Sequence, residues 1–383
     1  MEFDFLRPID NEIFEMIKGF TSQQLGSKVV FHTKEQFPDL NKISIAVIGV
    51  VENRGAENPT TVVDLSAIRK ELYSMYPGNW DASIADLGDI LAGNSTNDTY
   101  FALRKVAAHL IKNRIIPIVI GGSQDLTYAL YRAYDELEQM VNLVSIDSKF
   151  DFGKEDGGVL STSYLTKIII DEPNNLFNYC NIGYQTYYNS QEEIDLVEKL
   201  FFDGYRLGEI SNNIALAEPV FRDADIVSLD LTSVKSSDSG NFVSFSPNGF
   251  NGKEICSLSR YAGISDKVSM FGIFNHNNTV QESVLIAQII WYFIEGFHYR
   301  SNEYPFGSRE NYIKYIVPIE EEVLVFYKSD KTDRWWIEIP FVSNGNNKLK
   351  RNTLLPCSYD EYLGACNQEL PERWWKAQRK NII

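Results

Sequence analysis

The sequence predicts an α/β protein built on a doubly wound, mainly parallel sheet, and three observations carry that prediction. Runs rich in β-branched residues, Ile115 to Ile120, Val141 to Ile146 and Ala224 to Leu229, have the length and composition of strands buried on both faces. Helix-like segments separate them without any long linker, the alternation expected of a parallel sheet. Polar segments stand where these runs stop: Gly121-Gly122-Ser123-Gln124-Asp125, Asp147-Ser148-Lys149-Phe150-Asp151 and Ser228-Leu229-Asp230-Leu231-Thr232. Strand ends of open α/β sheets are where ligand sites form.

Taken in order, Glu12 to Phe20 reads as an N-terminal helix, and Ile43 to Val51 as the first strand, ending in the polar loop Glu52 to Pro59. A helix over Ser66 to Tyr76, a strand over Ser83 to Leu87 and a helix over Tyr100 to Lys112 precede the strand Ile115 to Ile120. Leu126 to Gln139 supplies the next helix. Gln191 to Leu200, Ile226 to Leu231, Lys253 to Ala262, Val268 to Phe274 and Val280 to Ile294 continue the alternation. After about Tyr299 the pattern changes to short aromatic strands, Tyr312 to Val317, Glu322 to Lys328 and Trp335 to Phe341, with Lys328 to Thr332 as a hairpin connection.

The expected organisation is a helical segment over 1–42, the α/β domain over 43–300, and a small aromatic, β-containing extension over 301–383, packed on the core or at an interface. Its Arg334-Trp335-Trp336 and Arg373-Trp374-Trp375 triplets read as packing or subunit anchors, with carbohydrate stacking as the sharper alternative.

Composition narrows the function. The 383 residues, 44% hydrophobic and 23% charged, suffice for a large core, and 36 Lys plus Arg against 52 Asp plus Glu leave a net charge of -16. That charge repels phosphate backbones, so no nucleic-acid partner is expected. The start Met1-Glu2-Phe3-Asp4-Phe5 has no export signal, and the apolar stretch Val284 to Ile294 is too short to span a bilayer. Cys180, Cys256, Cys357 and Cys366 lack CxxC spacing and read as reduced thiols, which points to the cytoplasm.

The three polar segments carry the chemistry. Asp147 and Asp151 bracket a turn leaving one strand, and Asp230 ends another. Carboxylates converging at strand ends repel one another unless a cation lies between them. Either the Lys149 ammonium or a hard divalent metal such as manganese, magnesium or calcium can be that cation. Other catalytic readings have less support. Among His32, His109, His276 and His298 only His276 stands at a strand end, where it reads as a satisfied polar contact; no histidine is placed to activate Ser123, and Gly121-Gly122 lacks the lysine of a phosphate loop.

In order and spacing these segments resemble the ureohydrolase superfamily of arginase, agmatinase and formimidoylglutamase, over roughly Ile43 to Arg300, and most nearly its formimidoylglutamase-like branch in Bacteroidetes. The resemblance implies an arginase-like doubly wound fold and, in the family, two manganese ions that activate water against a guanidinium or formimino carbon, held by GGDHS, DAHxD and SxDxD patterns. Gly121, Gly122, Asp147, Asp151 and Asp230 match those patterns; Gln124, Lys149 and Thr232 stand where the family has two histidines and an aspartate.

One family metal uses the positions of Gln124, Asp147, Asp151 and Asp230, where a glutamine carbonyl can still donate oxygen. The other depends on the positions of Lys149 and Thr232, so the resemblance implies a degenerate metal site. In Gly272-Ile273-Phe274-Asn275-His276, Ile273 occupies the place of the glutamate that holds a cationic substrate in the family. Gly157 to Ser163 stands for the family's substrate loop without its histidine. The pocket is expected from Gly121, Gly122, Ser123, Asp125, Ile273, Asn275 and His276.

The leading expectation is a catalytically inactive ureohydrolase-fold protein with no cofactor, acting as a binding, scaffold or regulatory subunit with a protein partner or as a homo-oligomer. The resemblance links that branch to envelope secretion or gliding machinery. The alternative is a hydrolase of amidine C–N bonds that uses one manganese, magnesium or calcium ion.

Overall fold

The computed structural model describes residues 3–57, 63–137, 139–153, 158–243, 246–303, 305, 309–319, 322–339 and 354–382. Among them, ten strands build the main sheet. In chain order these are β1 (Leu6–Arg7), β2 (Val30–Phe31), β3 (Ile45–Val51), β4 (Ile84–Leu91), β5 (Ile116–Gly121), β6 (Val141–Ile146), β7 (Leu176–Tyr184), β8 (Asp203–Arg206), β9 (Ile226–Asp230) and β10 (Met270–Phe274). Their order across the sheet is β1-β4-β3-β5-β10-β9-β6-β7-β8, with β2 also paired to β4. The pairing of β1 with β4 is antiparallel, and the others are parallel. The strands that precede the three polar segments, β5, β6 and β9, lie next to β10 or to one another, so their carboxyl ends meet at one place.

Helices cover both faces, as the continuous burial of the central strands demands. Ile118 and Ile120 of β5 and Phe271 and Ile273 of β10 face one layer with Leu72, Phe221, Leu258 and Ile290. Val119 of β5 and Phe274 of β10 face the other with Leu103, Leu130, Leu165 and Val197. Capping boxes fix several helix starts: Ser95 with Asp98 begins Thr96–Lys112, and Asn251 with Glu254 begins Gly252–Ile264.

The structure departs from the sequence expectations in three places. The segment 1–42 contributes β1 and β2 to the sheet besides its helix Asn11–Lys18, since two-residue strands leave no periodic trace. Strands β7 and β8 lie where the sequence predicts none. Asn178 and Asn181 interrupt the apolar run of β7, and their amides are occupied by Asp203 at 3.1 Å and the Lys149 carbonyl at 2.7 Å. The helix from Leu126 is regular only to Arg132 and tightens to a 3₁₀ turn over Ala133–Leu137. Pro59 of the first loop, Gly157 of the substrate-loop counterpart and Phe341 of the last expected strand lie outside the described residues.

The C-terminal region forms an antiparallel sheet of β11 (Tyr312–Ile319), β12 (Glu322–Ser329), β13 (Trp335–Glu338) and β14 (Leu354–Cys357). It is docked on the core by Arg222, which donates to the Trp335 carbonyl at 3.0 Å and the Cys357 carbonyl at 2.8 Å and stacks on Trp336 at 4.8 Å. Trp335, Trp336 and Trp374 are buried, so they serve packing and are closed to carbohydrate stacking. No helix among the described residues is long and apolar enough to cross a membrane.

Candidate functional site

The turn after β5 exists because both its glycines lack side chains. A Cβ on Gly122 would lie 2.0 Å from the Glu52 carbonyl oxygen, and one on Gly121 would lie 2.6 Å from Leu126. That close approach lets Ser123 donate its N–H to the Glu52 carbonyl at 3.2 Å. Gln124 then points inward, fully buried. Its Nε2 makes long contacts to Ser145 at 3.4 Å, Tyr164 at 3.4 Å and Ser228 at 3.5 Å, its side chain also lies against the Asp147 carboxyl, and its Oε1 has no hydrogen-bond partner.

Asx turns build the two acidic segments. Asp147 Oδ1 accepts the Lys149 N–H at 2.9 Å, and Asp230 Oδ1 accepts the Thr232 N–H at 2.7 Å. Asp151 is held at a φ of 59°, left-handed backbone that a non-glycine residue rarely adopts. Asn275, just past β10, ties the segments together. Its N–H donates to the Gly122 carbonyl at 2.6 Å, its Oδ1 accepts the Gln124 N–H at 3.2 Å, and its Nδ2 donates to Asp230 Oδ2 at 3.0 Å.

The electrostatics are those of acids short of a cation. Asp147, Asp151 and Asp230 are all buried; the Asp147 and Asp151 carboxyls lie against each other and the Gln124 side chain lies against Asp147, while Asp147 Oδ2 and Asp151 Oδ2 make no hydrogen bond of regular geometry. Burial first, then repulsion from Asp147 and Asp230, holds the Asp151 carboxyl well above the usual range. Burial and the Asp147 charge push Asp230 up as well, and burial raises Asp147. Lys149 does not insert among them: its ammonium pairs with Glu57 of the first loop, at 3.7 Å. Burial pulls that ammonium down, but Glu57, Asp151, Asp147 and Asp230 together hold it above its ordinary value, so it stays charged. Asp125 is a separate buried acid, pushed up to about 6 by burial and bonded to the Tyr100 hydroxyl.

These segments border a cleft of about 350 Å³ lined by Lys149, Asp151, Asp230, Thr232, Asn275 and His276 among others. Gly121, Gly122, Ser123, Asp125 and Ile273 lie behind it instead of lining it. Strand alternation turns Ile273 into the core layer, fully buried, and so away from any substrate. Ser161 and Thr162 of the substrate-loop counterpart do reach the cleft. Asn53, Glu57 and Asn277 also line it, and sequence reasoning missed them. The signal available was position alone, the polar loops that follow β3 and β10.

Residues 43–233 match the family model described as the arginase family. The chain belongs to the arginase family. Among curated arginase-family relatives, formimidoylglutamase of Geobacillus thermodenitrificans is 31% identical over 131 residues, 33% of this chain and 38% of that protein. Formimidoylglutamase of Geobacillus sp. is 24% identical over 209 residues, 52% of this chain and 64% of that protein. The chain thus spans roughly one to two thirds of the length of these relatives.

Among solved structures, formiminoglutamase of Trypanosoma cruzi with Mn²⁺ superposes with a TM-score of 0.61 at 19% identity, covering 67% of this chain and 94% of that one. Agmatine ureohydrolase of Thermoplasma volcanium gives 0.56 at 16% identity, covering 74% and 97%. Identities this low establish a shared arginase-like fold and nothing further about chemistry.

Whether the residues present fit the family's metal is decided by their atoms. Lys149 offers an ammonium and Thr232 a hydroxyl, neither of them a carboxylate or imidazole donor. For one hard cation the donor chemistry fits: Gln124 Oε1, Asp147 Oδ2 and Asp151 Oδ2 are buried oxygens without a regular hydrogen bond, beside Asp230. Among the described residues no group of three or more His, Cys, Asp or Glu side chains is already drawn together around an ion position. Binding one would therefore require these acids to converge.

Proposed function

We propose that this arginase-family chain hydrolyses a C–N bond of a linear amidine or closely related group, with one divalent ion held by Asp147, Asp151, Asp230 and Gln124. The observation that carries this reading is the set of buried oxygens without a regular hydrogen bond on Gln124, Asp147 and Asp151. Buried polar atoms are almost always paired, and like-charged acids are rarely left together without a cation. A bound divalent ion supplies Lewis-acid polarisation and lowers the pKa of water. The chain's own residues do the rest. Asn275 and Thr232 orient Asp230 by hydrogen bonds, and Lys149, at the cleft, is the base or electrophile. The family and its formimidoylglutamase relatives support the reaction class.

The test is turnover of formiminoglutamate, agmatine or arginine by manganese-supplied protein. Turnover abolished by chelator and by Asp147→Asn is expected; its absence for every substrate overturns the reading. A second reading, a non-catalytic binding, scaffold or regulatory subunit, is favoured by one observation: Ile273 is withdrawn into the core. It predicts no turnover and tolerance of Asp147→Asn. A cytoplasmic location, with a protein partner or further copies of the chain, belongs to the same proposal and is supported by four unpaired cysteines.

A further inference from the structure

The small C-terminal sheet is covered on both faces and at one edge. Val317, Ile319, Leu324 and Phe326 pack one face against Ala365, Trp374 and Ala377 of the last two helices. The other face carries Tyr312, Tyr327, Trp336 and Leu354, with Arg222 of the core stacked on Trp336. The β14 edge is capped by Arg222 at the Cys357 carbonyl and by Arg373, which donates to the Pro356 carbonyl at 2.9 Å. The β11 edge has no neighbouring strand among the described residues.

Register decides which groups that edge presents. In an antiparallel pair, alternate residues turn both backbone groups to the partner strand, and the residues between them turn both away. Tyr312 lies opposite Ser329 of β12, and one residue earlier the Asn311 carbonyl accepts the Asp330 N–H at 3.1 Å. The odd-numbered residues of β11 therefore bond to β12, while Tyr312, Lys314, Ile316 and Pro318 face outward. The ends of that row are already closed. The Tyr312 N–H donates to the Arg309 carbonyl at 3.1 Å, and Pro318 has no N–H, its carbonyl accepting the Gln368 amide at 3.2 Å. Lys314 and Ile316 each keep an N–H and a carbonyl without a partner among the described residues. An open edge with apolar side chains is a template for another strand, and Ile313 and Ile316 are 50% and 63% exposed.

We propose that β11 pairs antiparallel with β11 of a second copy of this chain, about a two-fold axis at Tyr315, joining the two small sheets into one. The pattern of open groups selects this occupant and this register. With Lys314 opposite Ile316 of the second copy, every open N–H meets an open carbonyl, and Tyr312, whose N–H is used, meets Pro318, which has none. An axis at Lys314 would set two ammonium groups face to face, and one at Ile316 would set Lys314 against Pro318, which cannot donate. Tyr312–Ile319 contains no acid, so on a chain of net charge -16 two copies meet here without opposing carboxylates. This contact does not depend on the hydrolase reading; it names the surface for the further copies of the chain included there.

The test is sedimentation equilibrium of the full chain. One edge strand is a small interface, so a weak, reversible monomer–dimer equilibrium at micromolar concentrations is expected. Ile316→Pro removes an outward donor without touching the ladder to β12, and is expected to weaken the dimer at least about tenfold. Ile316→Lys sets like charges opposite each other and is expected to weaken it as well. Adding Lys314→Glu to Ile316→Lys is expected to restore the dimer, because this register alone places residues 314 and 316 opposite one another. A monomer at every concentration, an oligomer other than a dimer, a dimer indifferent to Ile316→Pro, or no rescue in the double variant would each overturn the proposal. If circular dichroism shows that Ile316→Pro does not fold, the charge-swapped pair decides alone. Turnover by a monomeric protein overturns this proposal only, and a dimer of this register that turns nothing over overturns the hydrolase reading only.

Discussion

Asp86 and Asp89 on β4, and Asp147, Asp151 and Asp230 beyond β6 and β9, are two sets of acids drawn out of water by the same sheet, and only the first set has its cation. Arg69 reaches Asp86 with Nε at 2.8 Å and Asp89 with Nη2 at 2.7 Å, while the Tyr73 hydroxyl and the Gly88 N–H complete Asp86 at 2.6 Å and 2.9 Å. The second set has oxygens without a regular hydrogen bond, and the nearby lysine turns to Glu57. A satisfied buried network specifies the fold, whereas an unsatisfied one beside a cleft marks where a ligand completes the structure.

The comparison breaks most visibly if the first set tolerates loss of its cation. Arg69→Met strands two carboxylates and is expected to cost about 3–5 kcal/mol in urea unfolding; a loss below about 1 kcal/mol would show that the network is not structural. Glu282 is an intermediate case, with one oxygen accepting the Asn277 N–H and the other partnerless.

Burial raises the Glu282 carboxyl from its ordinary 4.5 to about 7, so the fold favours its protonated form. Its contribution is fully present below about pH 4.5 and is lost as pH rises through about 7. Glu282→Gln is therefore expected to change little at pH 4.5 and to stabilise above pH 7 by up to about 3 kcal/mol, since each tenfold change in proton affinity is worth about 1.4 kcal/mol. Unfolding curves of equal midpoint at both pH values would contradict this.

Removing one of the crowded acids should help where removing Arg69 hurts. Asp151→Asn relieves repulsion and is expected to raise metal-free stability by about 1–2 kcal/mol, a gain that thermal melts would detect and that a destabilised variant would refute. Lys149→Ala is expected to cost less than about 1 kcal/mol, since a partly exposed pair contributes little. A larger loss would place its ammonium among the three aspartates after all.

The main features of this arrangement were legible in the sequence where one physical cause dominated. Strands β5, β6 and β9 announced themselves because strands buried on both faces become apolar, β-branched runs, and the polar residues at their ends followed from topology. Strand β7 escaped because the Asn178 and Asn181 side-chain N–H groups find acceptors far along the chain, which no local pattern reveals. The aspartates were visible as a group. That Lys149 faces Glu57 and that Ile273 turns into the core both depend on side-chain direction across distant segments.

The central claim is that the unsatisfied acids are a site for one ion. Protein prepared without chelator or nickel, supplied with manganese and dialysed, would be assayed for metal per chain in the wild type and in Asp151→Asn. One ion per chain in the wild type and none in the variant is the predicted result; a wild type that retains no manganese, or that holds two ions, would contradict it.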